Sequence, residues 1–252
     1  MWDIGSPTNW LILDNKMLKL NSKHNLVIFL SEKSDGTMSS SGFLVGEFDD
    51  RAVVKNREKF FNKIEDDPKS VVTMGCLHRS NIRVADKSDA GRILKNTDGL
   101  LTKEKNLFLS LSVADCLPVY LYDAKNDAVG LLHCGWRGVV ANIIENGIKK
   151  MTLNFSSRPE NILALIGPGI SKCHFMVSKD VAKKFGSNSN FIDLKKVVRE
   201  KLLKSGLLSK NITTDKRCTF CLKNNYFSFR RDKPKSPQTM LAVIGIKNNK
   251  RK

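Results

Sequence analysis

At 252 residues, with 41% hydrophobic and 27% charged side chains, the chain has an ordinary globular composition and is long enough to bury a substantial core. Asp3, Asp14, Lys16, Lys19 and Lys23 break up the first thirty residues, so no signal-peptide core or membrane span fits there and a cytoplasmic protein is expected. The formal net charge of +18 invites a nucleic-acid reading, but the lysines are spread along the whole chain without interleaved aromatic residues, which argues against nucleic-acid binding as the main task.

In chain order, residues 1–23 show no clear period and read as a short pairing segment or a loose end. Leu26–Leu30 is a candidate buried strand, followed by a Gly/Ser-rich loop over 31–42. Residues 50–64 predict a helix with Val53, Val54, Phe60, Phe61 and Ile64 broadly on one face and Arg57 within it. A short strand at 71–74 leads to Cys76-Leu77-His78, residues 81–93 look irregular, and Thr97-Asp98-Gly99 reads as a turn before Leu100-Leu101-Thr102. Strands at 107–113 and 117–122 flank the corner Asp115-Cys116, where Pro118 suits a strand start because it cannot donate to a ladder.

A third strand, 128–132, delivers His133. Residues 139–151 predict one amphipathic helix, with Val140, Ile144 and Ile148 recurring every four positions. Gly135-Trp136-Arg137-Gly138 before it would turn backbone N–H groups and a guanidinium toward an anion. Further expectations are strands at Ile162–Ile166 and Met240–Ile246, helices at 180–185 and 193–203, and a basic tail at 247–252. With neither linker nor repeat, a single mixed α/β domain over 1–252 is the economical assignment.

The chemistry is concentrated in sulfur and imidazole. The chain has six cysteines and only four histidines, and three of those histidines lie within two residues of a cysteine: Cys76-x-His78, His133-Cys134 and Cys173-His174. In a cytosolic chain of this size, thiols are more often buried, metal-bound or catalytic than paired in a disulfide framework. His78, Cys116 and His133 stand at successive strand ends, where open α/β sheets place ligands. One thiolate and two imidazoles suit zinc better than copper and leave a fourth position open for water or substrate. Cys218-Thr219-Phe220-Cys221 has no second CxxC and reads as packing or incidental thiols; Cys173-His174 reads as a loop near the site. Arg230-Arg231-Asp232 could hold an anionic group or form surface ion pairs.

Taken together, Asn56-Arg57, the His78 region, Thr97 to Thr102, Ala114-Asp115-Cys116-Leu117-Pro118-Val119 and His133-Cys134-Gly135-Trp136-Arg137-Gly138 carry a family resemblance. Gly167-Pro168-Gly169-Ile170, Cys218-Thr219 and Tyr226 to Asp232 follow in the same order. The chain resembles the bacterial YfiH-type proteins, labelled multicopper polyphenol oxidases or laccases and also purine nucleoside phosphorylases. The resemblance implies a compact α+β fold of mixed sheets layered with helices, comparable to cysteine hydrolases and often monomeric. It also implies zinc on His78, Cys116 and His133, and phosphate-dependent cleavage of adenosine, inosine, guanosine and methylthioadenosine, with adenosine deamination as a second activity. The chain departs from the family's usual pattern at Cys76 and Arg79 around the first histidine, at Met176, and at Gln238-Thr239.

On this reading a zinc ion would polarise a substrate oxygen or nitrogen, or activate a water. Arg57, Arg137 and Arg230 are the candidate cations for substrate and phosphate, and Asp115 is the candidate for orienting a ligand or shuttling a proton. Two rival enzymes share the site. A cysteine hydrolase (an amidase, for instance) would use Cys116 as nucleophile and His133 as base. A multicopper oxidase would need separate mononuclear and trinuclear centres, which four histidines cannot fill. The non-enzymatic rival is a basic nucleic-acid-binding module, which would show tight, salt-sensitive RNA binding without turnover.

Overall fold

The computed structural model describes residues 10–13, 17–20, 25–39, 50–63 and 67–248. The other residues of the N-terminal segment, loop residues 40–42, Ile64 of the predicted first helix and tail residues 249–252 lie outside that set. Two mixed sheets form the centre. One runs in the order β1 (Trp10–Leu13), β2 (Met17–Leu20), β3 (Leu26–Leu30), β13 (Met240–Ile246), β8 (Phe108–Val113), β4 (Val71–Gly75), β6 (Ile93–Lys95). The other runs β12 (Ile212–Thr214), β11 (Ile162–Ile166), β9 (Leu117–Asp123), β10 (Ala128–Cys134), β7 (Gly99–Thr102), β5 (Ile82–Val84).

The period-2 pattern of the strands builds the layers. In β9, Leu117, Val119 and Leu121 point into one core while Tyr120 and Tyr122 point into another. The second of these cores lies between the two sheets, where Tyr120 and Leu131 meet Ile28, Leu111 and Ile244. The Tyr120 hydroxyl crosses this layer to donate to the Phe29 carbonyl at 3.2 Å, so the ring is buried without stranding its polar end. The first core lies under α3 (Ile143–Phe155) and α5 (Leu194–Lys204), which contribute Ile143, Ile144, Ile148, Val198 and Leu202. On the outer face of the first sheet, Phe60 and Phe61 of α1 (Asp50–Lys63) pack on Val71, Phe108 and Val243. The result is a helix–sheet–sheet–helix sandwich of the α+β class. Because both faces are covered, β9 and β10 are buried along their whole length and read as near-continuous apolar runs.

Several boundaries differ from the sequence expectation. Residues 81–93 contain β5 and the first residue of β6, which are too short for a period to emerge. The predicted helix 139–151 is two helices, α2 (Trp136–Val140) and α3, separated at Ala141-Asn142. Asn142 adopts a left-handed φ of 64°, a conformation asparagine tolerates better than most residues and one that ends α2 before its axis can continue. Val54 is exposed, so the apolar face of α1 is narrower than its sequence suggests. The helices expected at 180–185 and 193–203 are α4 (Lys179–Lys184) and α5, each shifted by one residue. Among the described residues, no helix is long and apolar enough to cross a membrane.

The consequence for the site is topological. The strands β8 and β9, consecutive in the chain, belong to different sheets, so Ala114-Asp115-Cys116 is the crossing point between layers. Asp115 makes that crossing with a φ of 84°. Beside Cys116, β10 runs antiparallel to β9 with Cys134 opposite Leu117 and His133 opposite Pro118. In the first sheet β4 lies parallel to β8, so its C-terminal end, and the His78 loop after it, emerge on the same side as the crossing.

Candidate metal centre

The structure brings His78, Cys116 and His133 together: one donor atom from each lies within 4.8 Å of the others. The imidazole rings meet edge to face, with centroids 4.7 Å apart. Gly135 leaves the space they share. A Cβ there would sit 3.0 Å from Cys116 Sγ and 3.2 Å from His78 Cδ2, close enough that the ligands would have to give way by a few tenths of an ångström.

Asp98 fixes both histidines, and sequence reasoning missed it. Its side chain is fully buried, and one oxygen lies 3.0 Å from His133 Nδ1. The same carboxylate accepts the backbone N–H groups of Leu77 (3.2 Å), His78 (2.8 Å) and Arg79 (3.0 Å). Those three bonds close the loop in which His78 takes a left-handed φ of 59°, a conformation non-glycine residues seldom adopt without such support. With Nδ1 of His133 committed to Asp98, Nε2 is left as its donor toward a metal, the usual outer-shell arrangement for a ligating imidazole.

The electrostatics agree with this geometry. Burial pushes the Cys116 thiol up, but the positive charge on His133 and hydrogen bonds from His133 and His78 outweigh it and bring the thiol down to about 6. Burial would depress His133, yet the sulfurs of Cys76 and Cys116 and the bond to Asp98 hold it well above its ordinary value. For Asp98, burial is opposed by His133 and the Arg79 and Leu77 N–H groups, which hold the carboxyl below its usual range. Cys76, Asp98 and His133 also offer donor atoms within 4.8 Å of one another, a second grouping that shares His133. A thiolate and two imidazoles poised in this way could hold a metal ion and would leave it an open coordination position.

The other predicted residues are arranged around this centre. Asp115 is buried, and its carboxylate accepts the Thr219 hydroxyl (2.7 Å), the Ser228 hydroxyl (3.0 Å) and the Arg230 N–H (2.7 Å). It therefore ties the C-terminal loops to the crossing point. Arg57 points its guanidinium at the Met38 carbonyl (2.8 and 3.2 Å) with longer contacts to Thr73 and Ser112. Burial brings it down to about 10. Arg137 is exposed and stacks over the Trp136 ring. Arg230 bonds the Met176 carbonyl at 2.6 Å and lies over the Phe175 ring. Arg231 pairs with Asp232 and bonds the carbonyls of Thr219, Phe220 and Tyr226.

The structure adds a proximity that the sequence did not reveal. Cys218 and Cys221, read from the sequence as packing or incidental thiols, meet Cys173 and His174 in a cluster whose four donor atoms lie within 4.8 Å of one another, separate from the first trio. A CxxC together with a distant Cys-His pair was the available signal, and only the fold joins the two.

The family described as multi-copper polyphenol oxidoreductase laccase matches residues 33–247. The chain is 32% identical to purine nucleoside phosphorylase YlmD of Bacillus subtilis over 273 aligned positions, covering 98% of this chain and 97% of that protein. It superimposes on the crystal structure of YlmD from Geobacillus stearothermophilus with a TM-score of 0.84 and 27% identity, covering 96% and 100% of the two chains. For the hypothetical protein YfiH of Bacillus licheniformis the TM-score is 0.83 at 29% identity, covering 92% and 97%.

Proposed function

The chain belongs to the multi-copper polyphenol oxidoreductase laccase family, and from that premise we propose that it is a zinc-dependent purine nucleoside phosphorylase. Its substrates would be adenosine, inosine, guanosine and methylthioadenosine with inorganic phosphate, and adenosine deamination is the second activity we assign. The name of the Bacillus subtilis relative supports the reaction class. The observation that carries the reading is the convergence of His78, Cys116 and His133 under one orienting carboxylate.

Phosphorolysis breaks the N-glycosidic bond of the nucleoside. A phosphate oxygen bonds C1′, and the purine leaves with the bond's electron pair and takes up the proton that hydrogen phosphate gives up. The products are the free base and ribose 1-phosphate (its 5-methylthio analogue from methylthioadenosine). Zinc held by the three side chains would act as a Lewis acid toward a substrate oxygen or nitrogen. The chain's own residues then have separable tasks. Asp98 fixes the His133 ring and the His78 loop. Asp115 fixes the loops bearing Ser228 and Arg230. Arg137, exposed beside the trio's strand end, is the foremost candidate to hold the phosphate, with Arg230 second. Arg57, bonded to the Met38 carbonyl, supports the loop that would face the substrate.

The inventory of four histidines stands against a multicopper oxidase. The cysteine hydrolase is a second reading with an observation of its own, because Cys116 at about 6 beside a charged His133 is a nucleophile–base pair. The zinc reading uses both histidines as ligands alongside the sulfur, whereas the hydrolase leaves His78 without a task. The test is metal analysis of the purified protein together with chromatography of adenosine incubated with and without phosphate. Stoichiometric zinc and phosphate-dependent release of adenine are expected. An acyl-enzyme trapped on Cys116, with no phosphate dependence, would replace this reading with the hydrolase.

A further inference from the structure

We propose that Cys173, His174, Cys218 and Cys221 form a second zinc site, closed and structural, that locks the loop after β11 to the loop before α6 (Phe229–Asp232). This inference is independent of the nucleoside chemistry.

The donor geometry fits the ion. A tetrahedral zinc with bonds of about 2.3 Å to sulfur places its sulfurs about 3.8 Å apart and an imidazole nitrogen about 3.5 Å from each sulfur. Cys173 Sγ lies 3.7 Å from Cys221 Sγ and 3.9 Å from Cys218 Sγ. His174 Nδ1 lies 3.1 Å from Cys173 Sγ and 3.4 Å from Cys221 Sγ. Three thiolates and one imidazole complete a four-coordinate shell with no open position, the pattern of structural rather than catalytic zinc.

Supporting contacts surround the cluster. The Ser171 N–H donates to Cys218 Sγ at 3.4 Å, an interaction that favours the thiolate. The His174 ring stacks on Phe220, with centroids 3.9 Å apart and 14° between planes, which fixes its orientation. Cys173 and Cys221 are exposed, and free thiols at a surface are a liability unless something holds them. A Cys173–Cys221 disulfide would occupy those two but give no task to His174 Nδ1 or Cys218.

The site has a structural task because of what the two loops carry. Cys218 pairs with Gly169 in a parallel bridge, and its neighbour Thr219 donates to Asp115, the residue before Cys116. Arg231 holds the carbonyls of Thr219 and Phe220. An ion across these loops would thus hold the wall behind the first metal centre.

The test is zinc stoichiometry by elemental analysis on the full chain, with thermal melting. Wild type should carry about two zinc ions per chain. His133→Ala should lose one and keep the other. Cys221→Ser combined with His174→Ala, both on the accessible side of the cluster, should also lose one, with Tm lower by roughly 5–10 °C. Refilling His133→Ala with cobalt should give thiolate-to-metal charge-transfer absorption that Cys221→Ser/His174→Ala/His133→Ala lacks. Unchanged zinc content in the Cys221→Ser/His174→Ala variant would overturn the proposal, as would a Cys173–Cys221 disulfide in freshly purified wild type. Failure of the first centre has a different signature, since His133→Ala would then leave zinc content unaltered.

Discussion

Asp98 and His133, thirty-five residues apart, meet through a carboxylate oxygen and Nδ1 at 3.0 Å, with both side chains buried. That contact couples the two sheets' contributions to the site, because the same carboxylate closes the His78 loop through three N–H groups. Asp98→Asn keeps the shape but removes the charge, so it should weaken zinc binding about 10–100-fold, read by competition with a chromophoric chelator. Because Asp98 is held below its ordinary value, its stabilisation is present above that ordinary value and is lost as pH falls through the depressed one. The variant should therefore flatten the acid limb of the stability profile. Wild-type zinc affinity in Asp98→Asn would remove Asp98 from the centre.

Gly135 tests the cradle without touching a ligand. Its φ of −73° is open to any residue, so Gly135→Ala brings no backbone strain. Its Cβ would nevertheless crowd Cys116 Sγ and His78 Cδ2. We expect a cost of about 1–2 kcal/mol, appearing as a loss of roughly tenfold in zinc affinity with an unchanged far-ultraviolet circular dichroism spectrum. Equal affinities in the two proteins would mean that the donors do not converge as described.

Much of this was legible in the residues. The apolar runs of β11 and β13 were readable to the residue because both faces of each are covered, and that of β3 because its half-covered face still carries Val27 and Phe29. Cys116 and His133 stand out because they sit at the ends of such runs. What escaped was set by tertiary partners. Asp98 reads as a turn aspartate until the fold aims three N–H groups at it. The second cysteine cluster spans more than forty residues of chain and exists only because the Gly169–Cys218 bridge joins its halves. The break at Asn142 was hidden because Val140, Ile144 and Ile148 keep their spacing across it.

The state of Cys116 can be read chemically. In zinc-free protein its alkylation by iodoacetamide, followed by peptide mapping, should show a midpoint near pH 6, against about 8.5 for an ordinary thiol. Reactivity should fall as pH drops through 6, because the thiol then protonates and the thiolate is the nucleophile. His78→Ala, which removes one of the hydrogen bonds that stabilise the thiolate, should move the midpoint upward. Zinc should protect the sulfur at every pH where it binds. A midpoint above 8 in the zinc-free protein would contradict the described contacts.

Asp115 separates positioning from proton transfer. Its oxygens take three donors from the C-terminal loops, and its φ of 84° is one that asparagine also tolerates. Asp115→Ala strands those donors and adds a strained alanine, so it should cost about 3 kcal/mol and lower Tm by roughly 6–12 °C. Asp115→Asn can turn its oxygen to Ser228 and Arg230 and donate its amide to the Thr219 hydroxyl, which satisfies the same partners. If Asp115 positions the loops, the asparagine variant should retain most of the wild-type Tm and kcat, with any loss appearing in KM as Arg230 shifts. If it shuttles a proton, kcat should collapse in Asp115→Asn while Tm holds, because an amide keeps the architecture but cannot cycle the proton. Measuring both quantities on both variants decides the matter. The geometry favours positioning, since all three donors end on this one carboxylate.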